Sequence, residues 1–478
     1  MNIQDSNLNL RKEVLSGTIW SIGGQFAAAG LRFGNMLVLA RMLSPEFFGL
    51  LGMSLVVMLI LRDVSDMGLS AALVQRAQID ETDLATIFWF NLAVSLLMAG
   101  LLFAGAGFLA KLLGDVRLEP ILRALALLLP TNALALVPRA MLLRDLKFAQ
   151  LAWQDVAGMV GFGLVGIPMA TLGMGVWSLI GALAAQWISR SALVWLVSPY
   201  RVTFQFKWNR LRRLSGFSIW MFSNLLLGRL IDNADYFLIG RYLGAAALGH
   251  YTLAFQLVIT PVRRIAGILT AVLFPSFAKI QNQLLRLQRG FLQALKMLAW
   301  VLFPLSAFLF VVADILVPAL YSDRWLPAVP VVRILALTSF FYGLSIVNPL
   351  LNAIGKPNWR FVILSFQAAI FILFAWGWGL ARGIEGVAWS IMAAVAVSIV
   401  LQIWVLRLEL QITLLALART FYMPLLALLP TGVLTWWLKN ILSIQSDALY
   451  TVLLAVVFGT VYTLITLPGY YNSLVSAK

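Results

Sequence analysis

Long runs of apolar residues follow one another along this chain, separated by short polar loops. About fourteen such runs are read, near residues 14–40, 47–73, 84–110, 118–142, 148–170, 174–197, 213–239, 246–275, 291–318, 327–353, 358–380, 385–407, 418–438 and 448–468. Each matches or exceeds the ~20 residues a helix needs to cross a bilayer. The apolar residues are continuous and do not alternate with period two, so the pattern predicts helices and not the strands of a barrel. In lipid a helix pairs its own backbone groups, which loops and open strands do not. The polar stretch Met1 to Glu13 precedes a first run too long for a signal peptide, so that run is expected to remain as a membrane helix.

Composition strengthens this picture. Of the 478 residues, 62% are hydrophobic and 11% charged, and mean hydropathy is +0.92. A soluble domain carries roughly 25% charge and cannot bury this much apolar surface. The absence of cysteine excludes thiol chemistry, and the single histidine, His250, excludes a histidine metal cluster. The expectation is an all-α membrane protein.

The net charge of +16 would suggest nucleic acid in a soluble domain, but here the basic residues sit between apolar runs. With the N-terminus placed inside, twenty Lys and Arg residues fall in inner loops or termini and eight in outer loops. Inner positions include Arg76, Arg139, Arg144, Lys147, Arg210 and Lys356; outer ones include Arg41, Arg117, Arg241 and Lys439. The positive-inside rule then predicts both termini in the cytoplasm and accounts for much of the charge without nucleic acid. Two inner segments stand out. Residues 201–213 are basic, with Phe204, Phe206 and Trp208. Residues 276–291 space Phe277, Ile280, Leu284, Leu287 and Phe291 like a helix lying in the membrane interface.

A weak internal repeat runs at about 200 residues. Leu15-Ser16-Gly17 pairs with Leu214-Ser215-Gly216, Trp20 with Trp220, and Gly49 with Gly249. Ala40-Arg41-Met42-Leu43 pairs with Gly240-Arg241-Tyr242-Leu243. Two copies of a six-helix unit with the same orientation follow. The domains are expected at 1–200 and 214–410, joined by the basic linker 201–213 and followed by two further helices in 411–478.

Charge inside apolar runs is costly and marks function by default. Gln25, Arg32 and Asn35 share one face of the first run. Arg62, Asp63 and Asp66 lie in the second, Arg229, Asp232 and Asp235 in the seventh, Gln256, Arg263 and Arg264 in the eighth, and Arg333 in the tenth. Arg62 with Asp66, and Arg229 with Asp232, have the spacing of self-neutralising pairs. The remaining guanidiniums suit a cavity for an anion, since Arg binds phosphate and carboxylate in bidentate fashion. The expected substrate-binding set is Gln25, Arg32, Asn35, Arg62, Arg229, Arg263, Arg264 and Arg333, and the aspartates Asp63, Asp66, Asp232 and Asp235 serve ion coupling or salt bridges. No Walker A, G-x-S-x-G or H-E-x-x-H motif is present, and no loop is large enough to hold an enzyme domain.

Several ordered motifs carry a family likeness. They are Leu39-Ala40-Arg41 with Phe48-Gly49-Leu50, Asp66-Met67-Gly68, Leu73-Val74-Gln75-Arg76, Phe88-Trp89-Phe90-Asn91, Asp323-Arg324-Trp325, and the run Val272 to Gln281. With these the chain resembles Wzx-type flippases of the polysaccharide transporter family, in the multidrug/oligosaccharidyl-lipid/polysaccharide superfamily, near the colanic-acid and teichuronic-acid exporters. The resemblance implies two six-helix lobes forming a V and a cavity lined by runs 1, 2, 7 and 8. It implies transport of undecaprenyl-pyrophosphate-linked oligosaccharide across the bacterial inner membrane, with a polysaccharide polymerase and a chain-length regulator as partners, and no cofactor. A multidrug exporter, a lipid II flippase and an assembly scaffold are the competing readings.

Overall fold

The computed structural model describes residues 3–75, 79–210, 228–229, 231–342, 346–441 and 447–475. Arg76, Arg212, Arg213, Trp220, Lys478 and the 214–216 copy of the repeat lie outside these residues, as does most of the expected run 213–239. Regular structure among the described residues is entirely helical, and ten helical segments are long and apolar enough to cross a membrane. The chain divides into two compact units, residues 1–249 and 250–478.

The first unit contains α1 (Ile3–Met42), α2 (Pro45–Asp66), α3 (Leu69–Gln75), α4 (Glu81–Leu113), α5 (Leu118–Ala126), α6 (Leu129–Arg144), α7 (Phe148–Thr171), α8 (Val176–Val197) and α9 (Ala234–Leu243). α4 shows why lipid is its solvent. Its inward face carries Phe88, Asn91, Ser95, Leu102 and Ala106, all buried, whereas Leu96, Leu97, Leu101 and Phe108 stand more than half exposed. Polar side chains point in and leucines point out, the reverse of a helix in water. Buried hydroxyls are satisfied locally: Ser54, Ser65 and Thr86 each donate to the carbonyl four residues back.

The expected second run is not one helix. Met67 (φ +47°) and Gly68 (φ +74°) adopt left-handed backbone and break it into α2 and α3. Asp66 holds the break, accepting hydrogen bonds from the Ser70 amide at 3.0 Å and the Ser70 hydroxyl at 2.6 Å. Outside the helices, Arg117 bridges Asp115 and Glu46, each at 2.7 Å, tying the α4–α5 loop to the start of α2. The guanidinium of Arg117 holds the Asp115 carboxyl below the usual carboxylate range.

The basic linker is strapped onto the start of α4. Trp89 Nε1 donates to the Thr203 carbonyl at 3.0 Å and its ring stacks on Phe204. Arg210 reaches Asp80 at 3.0 Å and Asp83 at 3.4 Å. Those two aspartates also form the capping box of α4.

Where α2 meets the first turn of α10 (Ala245–Lys279), the backbones touch through two glycines. A Cβ on Gly49 would lie 1.7 Å from the Ala245 carbonyl oxygen, and one on Gly249 would lie 1.8 Å from that of Pro45. Pro45 and Ala245, like Gly49 and Gly249, are 200 residues apart. The contact is therefore reciprocal, each glycine meeting a backbone carbonyl of the other segment.

The second unit continues α10 and adds α11 (Leu284–Tyr321), α12 (Val329–Phe341), α13 (Val347–Ala353), α14 (Pro357–Phe374), α15 (Gly383–Leu410), α16 (Leu414–Ile441) and α17 (Asp447–Val475). Between α14 and α15, Ala375–Gly379 winds as a π-helix and Leu380–Arg382 as a 3₁₀ turn. The segment 276–291 is not a separate interfacial helix. It forms the end of α10, a turn, and the start of α11. Its Phe277, Leu287 and Phe291 are buried against Val262, Leu410 and Leu417, so its 3–4 periodicity reports core packing. Trp325, from the Asp323-Arg324-Trp325 motif, is fully buried and meets the His250 ring edge-on.

Candidate functional site

A cavity of about 640 Å³ opens inside the first unit. Its walls come from α2, α3, α4, α6, α7 and α8. Three guanidiniums line it, from Arg62, Arg139 and Arg190, together with the carboxylates of Asp63 and Asp66.

Each charge has a local reason for its position. The Asp63 side chain is 8% exposed and serves two cations: Arg229 Nε donates at 2.7 Å and Arg62 approaches at 3.3 Å. Arg190 on α8 pairs with Asp155 on α7. That pairing depends on Gly158, because a Cβ there would lie 2.5 Å from the Arg190 Cγ. Small residues at helix crossings give such room in membrane proteins. Arg139 lies on α6 one residue after Pro138, exposed to the cavity.

The neutral part of the wall is also polar. Asn91 Nδ2 donates to the Ser65 carbonyl at 2.7 Å, while Asn91 Oδ1, Ser95 Oγ and Gln154 Oε1 are buried and make no hydrogen bond. These three residues are 1%, 1% and 2% exposed. Unsatisfied buried polar atoms cost about 1–3 kcal/mol each, and this wall carries three of them.

The structure redistributes the residues expected from sequence. Of the substrate-binding set, Arg62 lines this cavity and Arg229 reaches it through Asp63. Asp63 is a salt-bridge residue, and Asp66 bonds the first turn of α3. Asn35 donates from α1 to the Met159 carbonyl of α7 at 2.8 Å, a helix–helix contact. Gln25, Arg32 and Asp232 are exposed, and Asp235 is buried, accepting from the Tyr236 amide at 2.9 Å.

In the second unit, Arg263 lies over the rings of Phe255 and Tyr342 at 5.4 and 5.8 Å, and Arg264 is exposed. The run of Arg333 carries no carboxylate of its own, but Asp314 on the neighbouring helix α11 lies 3.3 Å away. Asp314 also accepts from Lys439 of α16 at 2.6 and 2.7 Å. Lys439, read as an outer-loop charge, is thus turned inward to dock α16. Replacing Asp314 with alanine is expected to lower the stability of the purified protein by about 2–4 kcal/mol, since it strands Lys439. A second change, Lys439→Met, should recover part of the loss in thermal melts; equal melting of single and double variants would refute the docking role.

Arg139 and Arg190 were not in the expected binding set. The sequence pattern counts Arg139 with Arg144 and Lys147 among the inner-loop charges. The signal that could have found it is that α6 stays helical through Arg144, which places Arg139 more than a turn inside the helix.

A multi-pass helical bundle with a charged internal cavity is the build of a membrane transporter. Solved structures share the fold: "Lipid II flippase MurJ, inward closed conformation" superposes with a TM-score of 0.79 at 14% identity, over 96% of this chain and 100% of that one. An inward-facing multidrug resistance MATE family transporter gives 0.64 at 15% identity, over 80% and 94%. At these identities the likeness is one of fold.

Sequence relatives narrow the class. The family model described as "Polysaccharide biosynthesis protein" matches residues 38–330, and the chain belongs to that family. Teichuronic acid biosynthesis protein TuaB of Bacillus subtilis is 29% identical over 90% of this chain and 89% of its own length. Lipopolysaccharide biosynthesis protein WzxC of Escherichia coli is 26% identical over 76% and 75%. Succinoglycan biosynthesis transport protein ExoT of Rhizobium meliloti is 30% identical over 72% and 70%. The likeness to Wzx-type exporters read from the motifs is borne out.

Proposed function

We propose that this protein flips an acidic oligosaccharide repeat unit, linked to undecaprenyl pyrophosphate, from the cytoplasmic to the outer leaflet of a bacterial inner membrane. The product supplies assembly of an exopolysaccharide, capsule or O-antigen. Both termini face the cytoplasm, and residues 1–200 and 214–410 act as two six-helix lobes that alternate access, with 411–478 as two added helices. A polysaccharide polymerase and a chain-length regulator act downstream.

The observation that carries this reading is the cluster Arg62, Arg139 and Arg190 inside a unit whose outer surface is made for lipid. Asp63 and Asp155 offset Arg62 and Arg190, and an anionic substrate offsets the cost of the Arg139 guanidinium. A cavity for cationic drugs would need the opposite charge. Family membership and the transport relative support the same conclusion.

A deletion strain should accumulate the lipid-linked repeat unit on the cytoplasmic side, detected by mass spectrometry after sidedness labelling. The wild-type gene should clear it, and Arg62→Ala should not, at normal protein level. Unchanged lipid-linked intermediates and unchanged polysaccharide in the deletion strain would reject the flippase reading.

A further inference from the structure

The charges and the neutral polar atoms of the first-unit cavity together constrain what it can hold. Arg62 is committed to Asp63 and Arg190 to Asp155. Arg139 has neither an ion pair nor a hydrogen bond among the described residues, and its guanidinium is the uncommitted cation of the cavity wall. One free guanidinium matches one carboxylate through a bidentate pair. A pyrophosphate, with at least two negative charges, exceeds what one free guanidinium neutralises and would meet the Asp66 carboxylate in the same space.

The neutral groups point the same way. Asn91 Oδ1, Gln154 Oε1 and Ser95 Oγ are buried in the wall without partners. The two amide oxygens are acceptors only. They repel phosphate oxygens and call for hydroxyl donors. Trp187 on α8 adds an aromatic face to the lining. A volume of about 640 Å³ lies within the range of small-ligand sites, in which a few placed polar groups set specificity.

We propose that this cavity is the subsite for an acidic sugar of the transported oligosaccharide. Arg139 pairs with the sugar carboxylate. Asn91, Ser95 and Gln154 accept hydrogen bonds from ring hydroxyls, and Trp187 packs on the ring. The pyrophosphate of the carrier binds elsewhere. This assignment rests on the flippase reading and adds to it that sugar selectivity resides in α4, α6, α7 and α8 of the first unit. A site built to bond hydroxyls and one carboxylate rejects analogues that lack them, because its own buried groups then stay unpaired.

The test uses full-length protein in lipid nanodiscs and three soluble probes: methyl glucuronide, methyl glucoside and inorganic pyrophosphate. Saturation-transfer NMR reads binding and competition. The glucuronide should bind saturably, the glucoside about tenfold more weakly, and pyrophosphate should not displace the glucuronide. Arg139→Gln should weaken glucuronide binding about tenfold or more, and Arg139→Lys should restore part of it. Gln154→Met, which keeps the side-chain volume, should weaken both sugars, and a thermal melt of each variant excludes misfolding as the cause.

Displacement of the glucuronide by pyrophosphate would overturn the proposal and make the cavity a diphosphate site. So would glucuronide binding that is absent, or unchanged in both Arg139→Gln and Gln154→Met. The deletion strain separates the two levels. Cytoplasmic accumulation of the intermediate alongside silent binding leaves the flippase standing and removes the sugar subsite. No accumulation removes the flippase itself.

Discussion

Asp63→Ala is expected to abolish polysaccharide export and to destabilise the purified protein by about 3–5 kcal/mol. Asp63 is the shared counter-ion of Arg62 and Arg229, which approach it at 3.3 and 2.7 Å. Its removal leaves two guanidiniums facing each other beside a cavity that already holds Arg139 and Arg190. The loss comes from stranding these cations more than from losing the pair's own attraction, since a buried pair roughly balances its desolvation cost. Arg229→Ala alone should also destabilise, because Asp63 is the more deeply buried partner. The double variant Asp63→Ala/Arg229→Ala should therefore lose less than the two single effects added together. A double-mutant cycle in thermal melts of detergent-purified protein measures this. Strict additivity would show that the two residues are not coupled.

The second large effect concerns Gly49 and Gly249. Alanine at either position is expected to cost about 3 kcal/mol or more, above the usual range for overpacking. The added carbon would lie 1.7 or 1.8 Å from a backbone oxygen, and a backbone cannot rotate aside as a side chain can. The helices themselves must separate. Gly30 and Gly34 on α1 provide the control, since a Cβ there meets nothing within 4 Å. Gly30→Ala and Gly34→Ala should leave expression and melting temperature near wild type, whereas Gly49→Ala and Gly249→Ala should both reduce them. Wild-type behaviour of Gly49→Ala would disprove the close crossing.

The helical membrane architecture was legible in the sequence because one signal, the unbroken apolar run, reports both solvent and secondary structure. The same signal hides what happens within a run. Met67 and Gly68 break the second run by taking left-handed backbone, and a Met-Gly pair in an apolar stretch gives little warning of it. The bonds of Asp66 to Ser70 across that break are equally invisible in the sequence pattern. Charge pairing was legible only at helical spacing. Arg62 with Asp66 was the natural local pair, but Asp63 bonds Arg229, 166 positions away, and only the tertiary fold brings them together. The partner of Arg333 was missed for the same reason, since Asp314 lies on another helix. The candidate cavity was half visible. Its acidic and basic residues on α2 stood out as charges in lipid, while Asn91, Ser95 and Gln154 are unremarkable in sequence and gain meaning only from their burial.

The paired glycine notches also set a schedule for biogenesis. Pro45 and Gly49 leave the ribosome about 200 residues before Ala245 and Gly249, an interval of roughly 10–40 s at 5–20 residues per second. During that time the start of α2 is in the membrane without the backbone that will fill its notch. A contact of such long sequence separation forms late and contributes nothing to early folding. The nascent segment that precedes Ala245 thus spends tens of seconds with an open helix-packing surface, the kind that membrane insertion factors and quality-control proteases encounter first.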